Sequence, residues 1–146
     1  LTKELGRLVK WLRILGYDTV YYSEDKPSSL IIQALRDNRI ILTRNHRLPQ
    51  PGGVKIVLIE KEKIQAQIAQ VLERLKIKPS PEIMFSRCIL CNVELKDIDK
   101  DKVKDKVPEY VFKTQTNFVT CPNCNRIYWQ GTHWGNVKKT LDEIGH

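Results

Sequence analysis

Long apolar runs are missing from this chain. Nothing in its 146 residues approaches the ~18 apolar residues of a membrane span, so no membrane partner is expected. No secretory signal precedes the first predicted helix, which points to a reducing, cytoplasmic setting. No segment repeats another. Cysteine is scarce: there are four, all within Cys88-Ile89-Leu90-Cys91 and Cys121-Pro122-Asn123-Cys124. Two disulfides would need an oxidising compartment. A redox-active C-x-x-C needs one pair at a helix N-terminus, not two. Four inert buried thiols would not fall into matched pairs. Two C-x-x-C knuckles 29 residues apart instead supply the four ligands of a tetrahedral zinc site, with bonds of about 2.3 Å. Cysteine at all four positions leaves no coordination site open for water. The zinc is therefore expected to be structural, held by Cys88, Cys91, Cys121 and Cys124.

Acidic residues are outnumbered by basic ones, 17 to 25, and the net charge of +8 favours a polyanionic partner such as RNA, DNA or an acidic protein. The length fits one compact domain, or a small domain with a zinc module, and 41% hydrophobic residues suffice for a core. The sequence opens with Leu1 rather than Met, so a processed start or a start inside a domain is expected.

Hydrophobic periodicity predicts a helix over residues 4–15, with Leu5, Leu8, Val9, Leu12 and Leu15 on one face and Gly16 as the stop. Lys3, Arg7, Lys10 and Arg13 fall mostly on the other face, with no carboxylate after Glu4. This row fits a solvated face and also a phosphate-contacting stripe. Asp18 to Tyr22 reads as a strand. Pro27 opens a second helix, capped near Asp25 or Lys26, with Leu30, Ile31, Ala34 and Leu35 inward and Asp37-Asn38 at its end. Ile40-Ile41-Leu42 suits a central parallel strand. Val54 to Ile59 reads as another strand. Residues 61–76 form a third helix, with Ile64, Ile68, Val71, Leu72 and Leu75 inward.

This alternation predicts an α/β layered sheet over residues 1–78. A Pro-rich linker follows, and residues 84–146 form the zinc module. Within it, Lys96 to Lys106 is polar without periodicity and is expected to be an exposed loop. Tyr110 to Phe112 and Asn117 to Thr120 read as strands, and Trp134 to Ile144 as a final helix, with Thr132 or His133 placed to cap it. Trp129 and Trp134 fit two uses, packing the module or stacking on bases.

In open α/β sheets ligands bind beyond the C-terminal ends of the strands. The strand ending at Leu42 delivers Thr43, Arg44, Asn45 and His46 to that edge. The loop after Tyr22 brings Glu24 and Asp25. Arg87 and Arg126 flank the two knuckles and are candidates for nucleic-acid contact.

Several motifs together resemble one family. Leu8-Val9-Lys10-Trp11-Leu12-Arg13-Ile14-Leu15-Gly16-Tyr17-Asp18-Thr19 looks like LARWLRxLGYDT. Arg39-Ile40-Ile41-Leu42-Thr43-Arg44-Asn45 looks like RILLTRD. Phe85-Ser86-Arg87-Cys88 with Cys91-Asn92 looks like FSRCxxCN, and Tyr128-Trp129-Gln130-Gly131-Thr132-His133-Trp134 looks like YWxGTHW. In this order, over nearly the whole chain, they resemble the Mut-seven C-terminal RNase domain family.

The resemblance implies a PIN-like parallel sheet flanked by helices, followed by a small zinc ribbon, and a metal-dependent RNase or RNA-binding role. In PIN nucleases clustered carboxylates hold Mg²⁺ or Mn²⁺, which polarise the phosphate and activate water. The site positions that correspond here are Asp18, Asp25 and Asn45. The family's first acidic residue lies in a strand ahead of the first helix, and this sequence begins after it. Asn45 replaces the aspartate of the TRD motif, and Lys26-Pro27-Ser28-Ser29 stands where an acidic stretch is expected. Asn45 fits a metal ligand through its carbonyl and also a simple turn residue. The RNA-contacting candidates are Arg7, Lys10, Arg13, Arg44, Arg87 and Arg126.

Two roles follow from this reading. One is a metal-dependent ribonuclease. The other is a catalytically degenerate module on the same scaffold that binds RNA or a protein. A DNA-binding regulator is disfavoured, because no recognition helix is evident.

Overall fold

The computed structural model describes residues 5–22, 26–45, 47–48, 52–80, 82–129, 139 and 142. Asp25, Glu24, His46 and Lys3 lie outside the described residues. So do Thr132, His133, Trp134 and most of the expected final helix. The protein is a mixed α/β chain with two compact units. Leu1–Leu12 and Thr19–Lys78 form the first, and Arg13–Asp18 and Pro79–His146 form the second.

The first helix, α1, runs Gly6–Ile14. Leu5, Leu8, Val9 and Leu12 are buried as their spacing requires, and Arg7 and Lys10 are exposed. The helix is followed by Gly16 at φ +95°, whose amide bonds the Arg13 carbonyl at 3.0 Å. Helix α2 spans Pro27–Asp37. Proline stands at its start, and Asn38 closes it in the left-handed conformation, its amide donating to the Ala34 and Leu35 carbonyls.

Two strands, β1 (Ile41–Thr43) and β2 (Ile56–Leu58), pair in parallel, with Ile41 opposite Ile56 and Thr43 opposite Leu58. Helix α3, Ile64–Leu75, buries Ile64, Ile68, Val71 and Leu72. Tyr22, Leu30, Ala34, Ile41 and Val54 form a core cluster, joined by Ile31, Leu48 and Ile56.

Two expectations for this unit need correction. Asp18 to Tyr22 is not a strand of the sheet among the described residues. Tyr22 instead enters the core and its hydroxyl donates to the Lys26 carbonyl at 3.0 Å, tying the approach to α2. Leu35, expected inward, is 48% exposed. It lies five residues past Leu30, about 140° around the helix, whereas Ala34 lies only about 40° away.

In the second unit β3 (Lys96–Ile98), β4 (Phe118–Thr120) and β5 (Ile127–Tyr128) form an antiparallel sheet in that order. The segment between β3 and β4 is largely exposed, as its composition predicts, but it is ordered rather than a plain loop. Lys100–Val103 makes a 3-10 turn, and Val103 is fully buried with Val107, Val111 and Phe118. Every apolar residue of this charged stretch is used: Ile98 packs against the same cluster.

Tyr110 to Phe112, expected as a strand, lies in helix α4, Glu109–Thr114. Pro108 precedes it, Lys113 pairs with Glu109 at 2.9 Å, and Val111 is buried in the cluster with Val107, which lies just before the helix. Trp129 packs edge-on against Phe118, with ring centres 6.4 Å apart, so of its two expected uses packing is the one seen.

Residues 13–18 were expected to lie with the first 78. In the structure they belong to the second unit. The Phe85 amide donates to the Ile14 carbonyl at 2.8 Å, and a Cβ at Gly16 would stand 2.1 Å from the Ile83 oxygen. Only glycine allows that approach.

Candidate functional site

The four cysteines converge in the second unit. Their sulfurs all lie within 4.8 Å of one another, a set that can hold a metal ion. A tetrahedron with bonds of about 2.3 Å has sulfur–sulfur edges of about 3.8 Å, and Cys88 and Cys124 stand at 3.7 Å. Cys88 and Cys121 are fully buried, and Cys91 and Cys124 half-buried.

The two knuckles have one backbone design. The Asn92 amide donates to the Cys88 carbonyl at 2.9 Å, and the Asn125 amide to the Cys121 carbonyl at 2.8 Å. The Cys88 and Cys121 amides donate to the carbonyls of Val93 and Arg126. Asn92 and Asn125 both sit at φ 62°, a left-handed conformation that asparagine tolerates better than most residues.

Ionisation in this cluster is uneven. Burial opposes the Cys88 thiolate, but the Tyr128 hydroxyl and the amides of Cys91 and Leu90 outweigh it and bring its pKa down to about 7. The hydroxyl stands 3.1 Å from the sulfur. The Tyr128 pKa is itself raised, first by burial and then by Cys88, so the group stays protonated and can donate. Cys124 goes the other way: its bond at Arg126 favours the thiolate, yet burial and the neighbouring sulfurs push it up to about 11. Sulfurs this close cannot all ionise without a cation among them.

Charged candidates around the first knuckle are occupied with holding it. Arg13 was expected on an exposed phosphate-contacting row. It is 9% exposed, and its Nη1 donates to the Ile89 carbonyl at 2.6 Å and the Leu90 carbonyl at 3.3 Å. As the last cation of α1 it lies one turn past Val9, on the buried edge of the helix. Arg87 Nη1 donates to the Asn92 carbonyl at 2.7 Å, and its guanidinium lies 3.7 Å from Glu94. Asp18 accepts from Asn92 Nδ2 at 2.6 Å. Arg126 is exposed, and its carbonyl accepts from the Thr120 hydroxyl at 3.0 Å.

In the first unit, the strand ends form a second polar constellation. Thr43 is fully buried, and its hydroxyl accepts from the Asn45 amide at 3.0 Å. Asn45 Oδ1 accepts from the Arg47 amide at 3.0 Å, which makes Asn45 the head of an Asx turn. Arg44 Nη1 donates to the Lys61 carbonyl, which also accepts from Gln67 Nε2 at 2.9 Å. Gln70 reaches across the end of β2, donating to the Leu58 carbonyl at 3.1 Å and accepting from the Glu60 amide at 3.1 Å. Two buried glutamines of α3 thus fix the loop that leaves β2.

A family model for the Mut7-C RNAse domain matches residues 1–141. The chain belongs to the Mut7-C RNAse domain family. Compared with curated proteins and with solved structures, it matches none.

Some of what holds this Mut7-C RNAse domain together escapes pattern reading. The asparagine after each C-x-x-C was a usable signal, since both knuckles read C-x-x-C-N. Gln67 and Gln70 were another, because two glutamines interrupt an otherwise apolar stripe of α3. Tyr128 gave no local sign, because its partner Cys88 lies 40 residues away.

Proposed function

We propose that this Mut7-C RNAse domain binds RNA and cleaves it in a reaction that requires Mg²⁺ or Mn²⁺, with zinc as a structural ion on the four cysteines. The family match over residues 1–141 carries this reading. The divalent ion would supply charge neutralisation at the phosphate and a more acidic water. Asp25, which lies outside the described residues, and the Asn45 carbonyl beyond the end of β1 are the side chains assigned to hold it. Arg7, Lys10 and Arg126 are exposed cations suited to phosphate contacts, and Arg44 retains guanidinium nitrogens beyond the one bonded to the Lys61 carbonyl, whereas Arg87 is engaged by the Asn92 carbonyl and Glu94. Arg13 and Asp18 are withdrawn from RNA and metal contact and assigned to the first knuckle. Zinc suits the cysteine set because four thiolates in a tetrahedron leave no open ligand position.

A second reading is RNA binding without cleavage. Asn45 favours it, being neutral and using its side-chain oxygen to cap a turn. An RNA cleavage assay with and without added Mn²⁺ separates the two. Cleavage that needs the added ion and falls at least tenfold in Asp25→Ala supports the nuclease. Intact RNA, bound with a steep salt dependence and cut only by Asn45→Asp, establishes the second reading. RNA neither bound nor cut rejects both. Metal analysis should find about one zinc per chain.

A further inference from the structure

The two carbonyls that Arg13 grips belong to two of the three peptide units inside the first C-x-x-C. The Ile89 carbonyl shares its plane with the Leu90 N–H, and the Leu90 carbonyl with the Cys91 N–H. Both peptides are trans, so carbonyl and N–H point in opposite directions. The Leu90 and Cys91 amides are the backbone donors that favour the Cys88 thiolate. A guanidinium that holds the oxygens on the outside therefore aims both N–H groups at the sulfur.

The anchor of that guanidinium is itself fixed. Residues 13–18 are registered on residues 83–92 by the bond from the Phe85 amide to the Ile14 carbonyl at 2.8 Å, by the bond from Asn92 to Asp18 at 2.6 Å, and by the close approach of Gly16 to the Ile83 carbonyl. Both bonds leave one nitrogen, Nη1, at 2.6 and 3.3 Å, and the rigid guanidinium plane fixes the direction of its two N–H groups where a rotating ammonium would not.

We propose that Arg13 is a positioning residue of the metal centre: through peptide units 89–90 and 90–91 it orients two N–H donors onto the Cys88 thiolate and offsets part of the site's negative charge. Four thiolates around a divalent cation carry an excess of two negative charges. A cation placed behind polarised peptides relieves it without occupying a ligand position. The end of α1 and the metal knuckle then form one cooperative element, in which metal binding stabilises the docking of residues 13–18 and docking strengthens metal binding. This rests on the reading that the four cysteines hold a metal.

The test measures zinc affinity by chelator competition on the whole chain, native, Arg13→Met and Arg13→Lys, together with amide hydrogen exchange of the zinc-loaded protein. Arg13→Met should lose affinity by about 10–100-fold. Exchange at Leu90 and Cys91 should quicken, while exchange at Asn123 and Cys124 of the second knuckle stays as in the native chain. Arg13→Lys should recover part of both effects. Native affinity in Arg13→Met would falsify the proposal, and so would equal quickening in both knuckles, the mark of general loosening. If Arg13→Met does not fold, Arg13→Lys decides: quickening confined to Leu90 and Cys91 supports the proposal, and native exchange there overturns it. A native chain that takes up no zinc overturns the metal reading itself, and the Arg13 proposal with it.

Discussion

Asn92 Nδ2 donates to Asp18 Oδ1 at 2.6 Å. Asn92 is the left-handed residue that closes the first knuckle, and Arg87 bonds its carbonyl. Asp18 thus restrains the turn that carries Cys88 and Cys91. Asp18→Ala should lower the stability of the protein by about 1 kcal/mol, the scale of one charge-assisted bond at an exposed carboxylate. A urea titration reads this, and an unchanged midpoint would rule the tether out.

Gly16 has a harder constraint. Its φ of +95° disfavours any side chain, and an added Cβ would meet the Ile83 carbonyl oxygen at 2.1 Å. Backbone, not a flexible side-chain tip, stands in the way. Gly16→Ala should cost about 3 kcal/mol or more, because residues 13–18 must leave their seat on residues 83–85. Thermal unfolding of the variant checks this, and a melting temperature within a degree or two of native would contradict it.

Val103 tests the interior of the charged segment. It is fully buried within a stretch of lysines and aspartates and packs with Val107, Val111 and Phe118. Val103→Ala should destabilise the protein by about 2 kcal/mol through lost apolar contact and a residual cavity. If the segment were a solvated loop, the same change would be nearly neutral, so a denaturant titration separates the two.

Metal uptake should strengthen with rising pH. A metal ion gathers thiolates and displaces their protons. The Cys88 pKa is depressed from 9.0 to about 7, so the stabilisation of its thiolate is present above 9 and is lost as pH falls through 7. Cys124, pushed up to about 11, is protonated at neutral pH without metal and must release its proton to bind. Zinc affinity measured from pH 8 to pH 6 should fall by at least about tenfold per unit. A flat profile would mean that the bound metal is not held by thiolates.

How much was legible beforehand differed between the two units. In the first, strong periodicity located α1, α2 and α3, because each buries a stripe long enough to show. The parallel pair was visible in the apolar run around Ile41. In the second, Val111 and its neighbours in α4 read as a strand, because six residues are too few for helical periodicity to emerge. Val103 was hidden among charges for the same reason: one apolar residue has no period.

The sequence by itself determined the family, the pairing of four cysteines that can hold a metal ion, and the helices α1, α2 and α3. Each is written in local spacing, and local spacing survives without coordinates. Only the tertiary structure decided what Arg13 and Asp18 do. Both sit in a stretch that reads as a basic helix running into a strand, yet their partners lie 74 to 77 residues further on, at Ile89, Leu90 and Asn92. The paired C-x-x-C spacing announced a cysteine set that can hold a metal, but the support of its first knuckle comes from the far end of the first helix. That support depends on long-range packing, which places a buried guanidinium against two carbonyls that no pattern in the sequence links to it.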